Sequence, residues 1–379
     1  MKELDRFRGC LIGGAVGDAL GYAVEFIRID EIKRRYGEKG IESYELSHNS
    51  ALISDDTQMT LFTAEGILHA FTRGNMRGIM GPLESYVHLA YLNWLKTQDV
   101  DLVFEIAPPQ SWLAKTEELN QRRAPGNTCL SALMSGKMGT VEEPINSSKG
   151  CGSVMRVAPI GLYFPPNQNV FELGMKTGVI THGSPSGYLS AGLLALIISK
   201  IVYEENKDLE QIVRESLTSL EQYKDHLELK EIVEKAVDLV HQNVEDLAAI
   251  EELGEGWVAD EALAIAIYSS LKYKDDFKKA VVCAVNHSGD SDSTGAITGN
   301  ILGAFLGLDA IPKEYLEHLE LSDVILEISE DLHRDIPVGE YKDNSSEECK
   351  KWLDKYVYGT YTIEGKGDTK WSNIKTKKN

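Results

Sequence analysis

Residues 9–25 read GCLIGGAVGDALGYAVE, and the spacing of their apolar side chains is the strongest indication of fold in the chain. Apolar pairs recur every four residues, at Leu11/Ile12, Ala15/Val16, Ala19/Leu20 and Ala23/Val24. A period near 3.6 residues predicts an α-helix with a wide apolar face. The intervening glycines lack a Cβ atom, so another helix can approach this backbone closely.

The same periodicity dominates the rest of the chain. It predicts helices at about 57–72, 84–97, 127–136, 169–180, 186–204, 208–220, 227–243, 259–272, 275–285, 293–307 and 322–333. Strand patterns are nearly absent, and the connections are short apart from 37–53 and 138–168. The most apolar run, AGLLALIISKIV from Ala191, is too short to span a bilayer and contains Lys200, so it predicts a buried helix.

A length of 379 residues is sufficient for about two domains, but no linker divides this chain. We therefore predict one large, orthogonal all-α domain over residues 1–340, followed by a polar tail, residues 341–379, of unknown role. Four aromatic residues lie close together in that tail: Trp352, Tyr356, Tyr358 and Tyr361. The tail is either an appended element that packs through these rings or partly disordered.

Charge and cysteine content narrow the classes of function. The formal net charge of −20 repels phosphate backbones, so we expect no stable nucleic-acid binding. The five cysteines are scattered without a CxxC pair, which argues against a disulfide framework or a zinc site. The start, MKELDRFRGCLIGG, lacks the apolar core of a signal peptide. These features predict a cytoplasmic protein that does not associate with membranes.

Two acidic clusters lie where a loop leads into a predicted helix. They are Ser54-Asp55-Asp56-Thr57 and Gly289-Asp290-Ser291-Asp292-Ser293-Thr294-Gly295. Ser, Thr and Asp are preferred helix N-caps, so capping explains either cluster taken alone. A cap needs one such residue, however, and crowded carboxylates repel each other unless a cation compensates them. Hard oxygen donors suit Mg²⁺, Mn²⁺ or Ca²⁺. An EF-hand is excluded, because Ile301 stands where its bidentate glutamate is needed.

The chain resembles the ADP-ribosylglycohydrolases over most of its length. The two acidic clusters look like the two metal-binding motifs of that family. The other matching segments are 13–21 with Glu25, 123–128, 150–156 and 181–189, all in the family's order. Any one of these motifs alone is weak, but the ordered set is highly specific.

The resemblance implies an all-α fold with a dimetal centre, Mg²⁺ or Mn²⁺, in a central cleft that binds ADP-ribose. When the family's motifs are carried over by position, the resemblance implies that the metal ligands are Ser54, Asp55, Asp56, Asp290, Asp292 and Ser293. Family members usually have threonine in place of Ser54, which keeps the hydroxyl. Glu25 matches an acidic residue beside the metals with gating or acid/base roles, although an exposed carboxylate at a helix end is the alternative. The expected catalytic residues are therefore Glu25, Asp55 and Asp56.

The matching segments, together with Trp257 as a candidate from its residue type, give the expected substrate contacts. They are Gly126, Asn127, Gly150, Cys151, Gly152, Ser153, Met155, His182 and Trp257. Small residues at 150–153 let backbone N–H groups approach a phosphate, but an ordinary turn explains them as well. His182 resembles a histidine near the pyrophosphate and distal ribose, whereas a lone histidine is more often structural. Trp257 is a candidate lid or stacking surface for adenosine, with core packing as the alternative.

The implied activity is metal-dependent hydrolysis of the bond between ADP-ribose and a modified substrate. Segments 150–152 and 181–189 look more like the arginine-specific branch than the serine-specific one. An acidic cleft would also attract a cationic guanidinium, so we expect ADP-ribosyl-arginine on a protein as the substrate. We also expect the enzyme to be a monomer. The alternatives are hydrolysis of ADP-ribosyl-serine or O-acetyl-ADP-ribose, and a non-catalytic protein that binds ADP-ribose or has a structural role.

Overall fold

A computed structural model describes residues 3–107, 111–205 and 208–363. Within these residues the chain forms seventeen α-helices and no sheet, which confirms the predicted all-α fold. The helices are α1 (Leu4–Tyr22), α2 (Ile29–Tyr36), α3 (Asp55–Arg77), α4 (Leu83–Lys96), α5 (Asn127–Met134), α6 (Ala158–Tyr163), α7 (Val170–Val179), α8 (Pro185–Tyr203), α9 (Leu209–Leu217), α10 (Leu227–Val240), α11 (Asp246–Leu253), α12 (Ala259–Lys272), α13 (Phe277–Val285), α14 (Ser291–Leu306), α15 (Lys313–Leu316), α16 (Ser322–His333) and α17 (Glu347–Tyr356).

Every predicted helical window lies on an observed helix. The windows 259–272 and 322–333 coincide with α12 and α16, and the others differ by at most five residues at either end. The expectation that 138–168 is an irregular connection is wrong for α6, a buried helix with Pro159 in its first turn. Proline is favourable there because the first turn leaves its N–H groups unpaired in any case.

The antiparallel pair of α1 and α14 forms the centre of the protein. A Cβ atom on Gly17 would lie only 1.9 Å from the carbonyl oxygen of Gly295, and one on Gly299 would lie 1.9 Å from that of Gly13. Because glycine has no Cβ, the two backbones come into direct contact. This packing places the end of α1, with Glu25 just beyond it, beside the acidic start of α14.

Helix α8 contains the most apolar run of the sequence. Among the described helices it is the one that is long and apolar enough to cross a membrane, yet 83% of its most apolar window is buried inside the protein. The prediction of a buried helix is confirmed.

The described part of the tail packs against the domain through its aromatic residues. Trp352 on α17 is buried, and its Nε1 donates a hydrogen bond of 2.8 Å to Oγ1 of Thr72 on α3. The Tyr361 ring meets the Trp112 ring edge-on, with centroids 5.3 Å apart. Of the two alternatives for the tail, an appended element that packs through its aromatic rings is the one observed up to residue 363. Residues 364–379 lie outside the described part of the chain.

Candidate active site

Asp18 holds the start of α3, and sequence reasoning did not single it out. Its fully buried carboxylate accepts hydrogen bonds from the backbone N–H of Ser54 at 3.0 Å and of Thr57 at 3.1 Å. Ser54 is the N-cap of α3, because its Oγ accepts from the N–H of Asp56 at 3.2 Å. The available signal was a single acidic residue within the otherwise uncharged, glycine-rich run 9–24. These bonds fix Asp55 and Asp56 in the first turn of α3.

The second acidic cluster is arranged in the same way at the start of α14. Asp290 is the N-cap, and its Oδ1 accepts a hydrogen bond from the N–H of Ser293 at 3.3 Å. Asp292 accepts from the same N–H at 3.0 Å. Both clusters therefore do cap helices. Capping does not occupy all of their carboxylate oxygens, because Oδ2 of Asp56, for example, is buried without a hydrogen-bond partner among the described residues.

The carboxylates of Glu25, Asp290 and Asp292 meet in one place. Each offers an oxygen, and these oxygens lie within 4.8 Å of one another. Glu25 is half-buried rather than exposed, and its Oε2 has no hydrogen-bond partner within the described ranges. Geometry of this kind suits a cation bound between the three groups.

Asp55 and Asp56 contribute to the same electrostatic environment. Burial and the neighbouring Asp292 raise the pKa of both carboxyls, and of Asp290, well above the usual range. The same two causes raise the pKa of Glu25 to about 11. No ion pair with Lys, Arg or His compensates these groups in the part of the chain that the structure describes. The centre therefore favours uptake of protons or cations.

The loop 150–153 lies against the second cluster. The Sγ of Cys151 donates to Oδ2 of Asp290 at 2.7 Å, and its backbone N–H donates to the carbonyl oxygen of Trp257 at 3.2 Å. Burial and Asp290 raise the pKa of the Cys151 thiol, which therefore remains a hydrogen-bond donor. The Ser153 hydroxyl donates to the carbonyl oxygen of Gly187 at 2.7 Å, so it orients the loop.

Met155, Gly126 and Asn127 border the two clusters. The Ser293 hydroxyl contacts the sulfur of Met155 at 3.8 Å, which places this buried side chain beside the start of α14. The N–H of Gly126 donates to Oδ2 of Asp55 at 3.3 Å. Gly126 and Asn127 are exposed at the start of α5, where backbone N–H groups point out of the helix end.

His182 is buried next to the loop 150–153 and is neutral. Burial and Arg156 lower its pKa to about 3. Arg156 donates to the hydroxyl of Thr181 at 2.7 Å, and the same hydroxyl is hydrogen-bonded to Nδ1 of His182 at 2.8 Å. The other ring nitrogen, Nε2, faces Gly150, where an added Cβ would be 3.1 Å from it.

Trp257 does not belong to the core, because 37% of its surface is exposed. Its ring stacks on Phe26, with centroids 5.5 Å apart and an angle of 19° between the planes. Phe26 was not a predicted site residue, and it follows Glu25 directly in the chain. Only the spatial contact with Trp257 reveals that it borders the centre.

A cavity of about 840 Å³ lies on the other side of the segment that leads into α5. Arg123, Glu320, Trp112 and Tyr361 are among its lining residues, and no predicted site residue is. Arg123 connects the two regions, because its carbonyl oxygen accepts from the N–H of Asp55 at 3.0 Å. The predicted site residues thus form one connected region that does not coincide with this cavity.

Comparison with known proteins identifies relatives along nearly the whole chain. ADP-ribosyl-[dinitrogen reductase] glycohydrolase of Rhodospirillum rubrum is 25% identical over 84% of this chain and 91% of its own length. ADP-ribosylarginine hydrolase Tri1 of Serratia proteamaculans is 25% identical over 87% of this chain and 80% of its own. The human ADP-ribosylhydrolase ARH3 is 23% identical over 88% of this chain and 94% of its own.

A solved structure supports the same fold. It is described as an ADP-ribosylglycohydrolase-related protein complex, and it matches with a TM-score of 0.58 and 23% identity over 87% of this chain and 98% of the matched chain. The profile of the ADP-ribosylglycohydrolase family matches residues 1–341. The chain therefore belongs to the ADP-ribosylglycohydrolase family and is a hydrolase.

Proposed function

We propose that the protein hydrolyses the N-glycosidic bond between the distal ribose of ADP-ribose and an arginine side chain of a protein. The observation that carries this proposal is the buried centre where carboxylates from three segments meet. Glu25 after α1 and Asp290 and Asp292 at the start of α14 have oxygens within 4.8 Å of one another, and Asp55 and Asp56 on α3 share their electrostatic environment. Cleavage at an anomeric carbon passes through an oxocarbenium-like transition state, whose positive charge carboxylates stabilise.

The residues of this centre also fit hard divalent cations, and we propose two ions, Mg²⁺ or Mn²⁺. All available donors are carboxylate or hydroxyl oxygens, and two buried oxygens, Oε2 of Glu25 and Oδ2 of Asp56, have no hydrogen-bond partner among the described residues. The residues that would hold the ions are Ser54, Asp55, Asp56, Asp290, Asp292 and Ser293, with Glu25 beside them. When bound, the ions would act as Lewis acids on ribose oxygens and lower the pKa of water.

Glu25 is the residue that we propose to position and deprotonate the attacking water. It is half-buried, follows a helix end rather than lying within a helix, and has one oxygen free of protein hydrogen bonds. In the metal-free protein Glu25 is protonated near neutral pH, because burial and the neighbouring carboxylates raise its pKa to about 11. It would act as the base once bound cations offset the charge of Asp290 and Asp292 and so bring its pKa toward the neutral range that general base catalysis requires. Asp55 and Asp56 are the alternatives, although the hydrogen bond from Gly126 already engages Asp55.

Backbone N–H groups at the start of α5 and in the loop 150–153 would bind the diphosphate, because such groups are good anion ligands. The N–H groups of Gly126, Gly150 and Cys151 already donate within the protein, so the neighbouring ones would make these contacts. Nε2 of the neutral His182 ring lies beside Gly150 and would add a donor in the tautomer that carries the proton there. The Trp257 ring stacks on Phe26 next to Glu25, so it would border the distal-ribose end of the substrate, and its contact with adenosine stays a prediction. These assignments leave the carboxylates to the distal ribose.

Arginine is the favoured leaving group for two reasons. The segment 181–189 resembles the arginine-specific branch, and one relative is named for ADP-ribosylarginine. A guanidinium leaving group remains cationic, so it is attracted to an acidic centre and needs no strong general acid. We further propose that the enzyme is a cytoplasmic monomer, in keeping with its five unpaired cysteines.

The decisive experiment is an assay of ADP-ribose release from peptides that carry ADP-ribosyl-arginine or ADP-ribosyl-serine, and from O-acetyl-ADP-ribose. We expect turnover with Mg²⁺ or Mn²⁺, none in excess EDTA, and the highest kcat/KM for the arginine conjugate. Asp292→Asn should lower kcat/KM by at least about 100-fold, because a ligand charge is lost. Asp275→Asn, which changes an exposed carboxylate between α12 and α13, is the matched control.

The Asp292→Asn variant should remain folded, since removing one of several mutually repelling carboxylates does not destabilise the metal-free protein. Equal or higher kcat/KM for the serine conjugate would overturn the arginine assignment but not the hydrolase activity. Tight binding of ADP-ribose without turnover on any substrate would instead indicate a non-catalytic binding protein.

A further inference from the structure

Phe26 has an unusual backbone conformation for a bulky residue. Its φ angle is 63°, in the left-handed region that side chains other than glycine rarely adopt. Hydrogen bonds on either side hold it there, from the N–H of Glu25 to the oxygen of Gly21 at 2.9 Å and from the N–H of Ile27 to the oxygen of Val24 at 3.0 Å. Conformations of this kind cost free energy and concentrate at functional sites.

The Phe26 side chain is also unusual, because 71% of it is exposed. One face of the ring is covered by Trp257, which is stacked on it nearly in parallel. The backbone of Trp257 accepts a hydrogen bond from Cys151, whose thiol contacts Asp290, so the aromatic pair is fixed to the acidic centre from both sides. Since Trp257 covers one face and 71% of Phe26 is exposed, the exposed surface includes the side of the ring turned away from Trp257. The pair is thus a rigid aromatic surface with one free face.

The position of this surface indicates which part of a substrate would meet it. The Cα atoms of Glu25 and Phe26 are about 3.8 Å apart, as across any trans peptide bond. The Glu25 carboxylate lies with Asp290 and Asp292, where the reaction at the distal ribose is proposed to occur. The leaving group is bonded to that ribose, whereas the adenine ring is separated from it by a second ribose and the diphosphate. The leaving group is therefore the nearer of the two planar groups.

We propose that the free face of Phe26 stacks on the guanidinium group of ADP-ribosyl-arginine and so determines specificity for an arginine leaving group. This inference rests on the proposed function. A guanidinium is planar and cationic, and it is attracted both to an aromatic face and to the neighbouring carboxylates. The serine linkage offers neither a planar group nor a charge, so it gains nothing from the ring.

The test compares Phe26→Leu with Phe26→Tyr on the arginine and serine conjugates, under identical metal and salt conditions. Leucine keeps an apolar side chain but lacks the π face, whereas tyrosine retains it. We expect Phe26→Leu to lower kcat/KM for the arginine conjugate about three- to tenfold, with little change for the serine conjugate. Phe26→Tyr should keep the wild-type ratio of kcat/KM for the arginine conjugate to kcat/KM for the serine conjugate. Ile79→Ala, at an exposed apolar residue between α3 and α4, is the control.

Calorimetry with free ADP-ribose separates the remaining explanations. The affinity for ADP-ribose should be the same in Phe26→Leu as in the wild type, since the product lacks the guanidinium. Weaker ADP-ribose binding with an equal loss on both conjugates would mean that the ring contacts adenine, and unchanged kinetics would mean that it is only structural. Either result overturns the inference. A wild-type enzyme that does not cleave the arginine conjugate would show instead that the proposed function is wrong.

Discussion

Replacement of Gly17 by alanine should destabilise the protein, although alanine is the better helix former. The added Cβ would lie 1.9 Å from the carbonyl oxygen of Gly295 and 2.3 Å from its carbonyl carbon. The atoms that it would meet belong to the backbone of α14, so no side-chain rotation can relieve the overlap. Because ordinary contacts of a Cβ begin near 3.4 Å, α1 and α14 would have to separate by more than 1 Å at this point.

The size of the effect follows from two opposing contributions. An extra methyl group forced into a well-packed core costs about 1–3 kcal/mol, and a clash with rigid backbone lies at the upper end of that range. Alanine in place of glycine within a helix gains about 1 kcal/mol. We therefore expect the free energy of unfolding to fall by about 2 kcal/mol.

Urea denaturation followed by circular dichroism measures this difference directly. Gly81→Ala is the control, because its Cβ would meet no atom closer than 3.7 Å. Separation of α1 from α14 also moves Glu25 relative to Asp290, so calorimetry should show weaker binding of Mg²⁺ by the Gly17→Ala variant. A variant as stable as the wild type, or more stable by the helix-propensity gain, would refute the close backbone packing.

Two further predictions concern buried charges. Lys355→Met should lower the free energy of unfolding by about 3 kcal/mol, because Nζ of this buried residue pairs with Asp331 at 2.5 Å and with Glu327 at 2.9 Å. The loss lies at the low end for a buried ion pair, since Asp331 keeps Arg334 and Glu327 keeps Lys351 as partners. Urea denaturation checks this against exposed Lys350→Met, which should be neutral. Burial and Asp292 raise the pKa of Asp18 from 3.8 to about 7 and of Glu25 from 4.5 to about 11. A carboxyl whose pKa is raised by folding stabilises the metal-free protein when the pH is below the pKa of that carboxyl in the unfolded chain. This stabilisation is lost as the pH rises through the pKa of the carboxyl in the folded protein. Mg²⁺ should therefore increase the free energy of unfolding more at pH 8 than at pH 5, relative to EDTA at equal ionic strength; equal increments would contradict the linkage.

The fold could be predicted largely because its helices bury wide apolar faces. The helices that the sequence did not reveal have ten residues or fewer, and they are α2, α6, α11, α15 and α17. Helix α2 is mostly charged, with Ile32 as its one buried residue, and α6 has only six residues. Short helices of this kind depend on tertiary packing more than on their own sequence. Local patterns therefore predict every described helix longer than ten residues and miss some of the shorter ones.

The candidate site could be predicted where its residues are adjacent in sequence. Asp55 and Asp56, like Asp290 and Asp292, form compact polar clusters before apolar helices, and such clusters are visible without a structure. Asp18 and Phe26 were not singled out because their partners, Ser54 and Trp257, are distant in the chain. A single acidic residue or phenylalanine gives no local signal of such a contact. Only the close packing of α1 and α14 brings these residues to the centre.

Helix capping and cation binding are complementary roles for the two acidic clusters. The first turns of α3 and α14 supply backbone N–H donors and the positive end of a helix dipole, which lower the cost of holding carboxylates there. These donors are not sufficient, because the pKa of Asp55, Asp56 and Asp290 is still raised well above the usual range by burial and by Asp292. The remaining negative charge requires either protons or divalent cations. The helix ends therefore position the carboxylates, and their incomplete compensation makes cation binding favourable at the pH where protons are scarce.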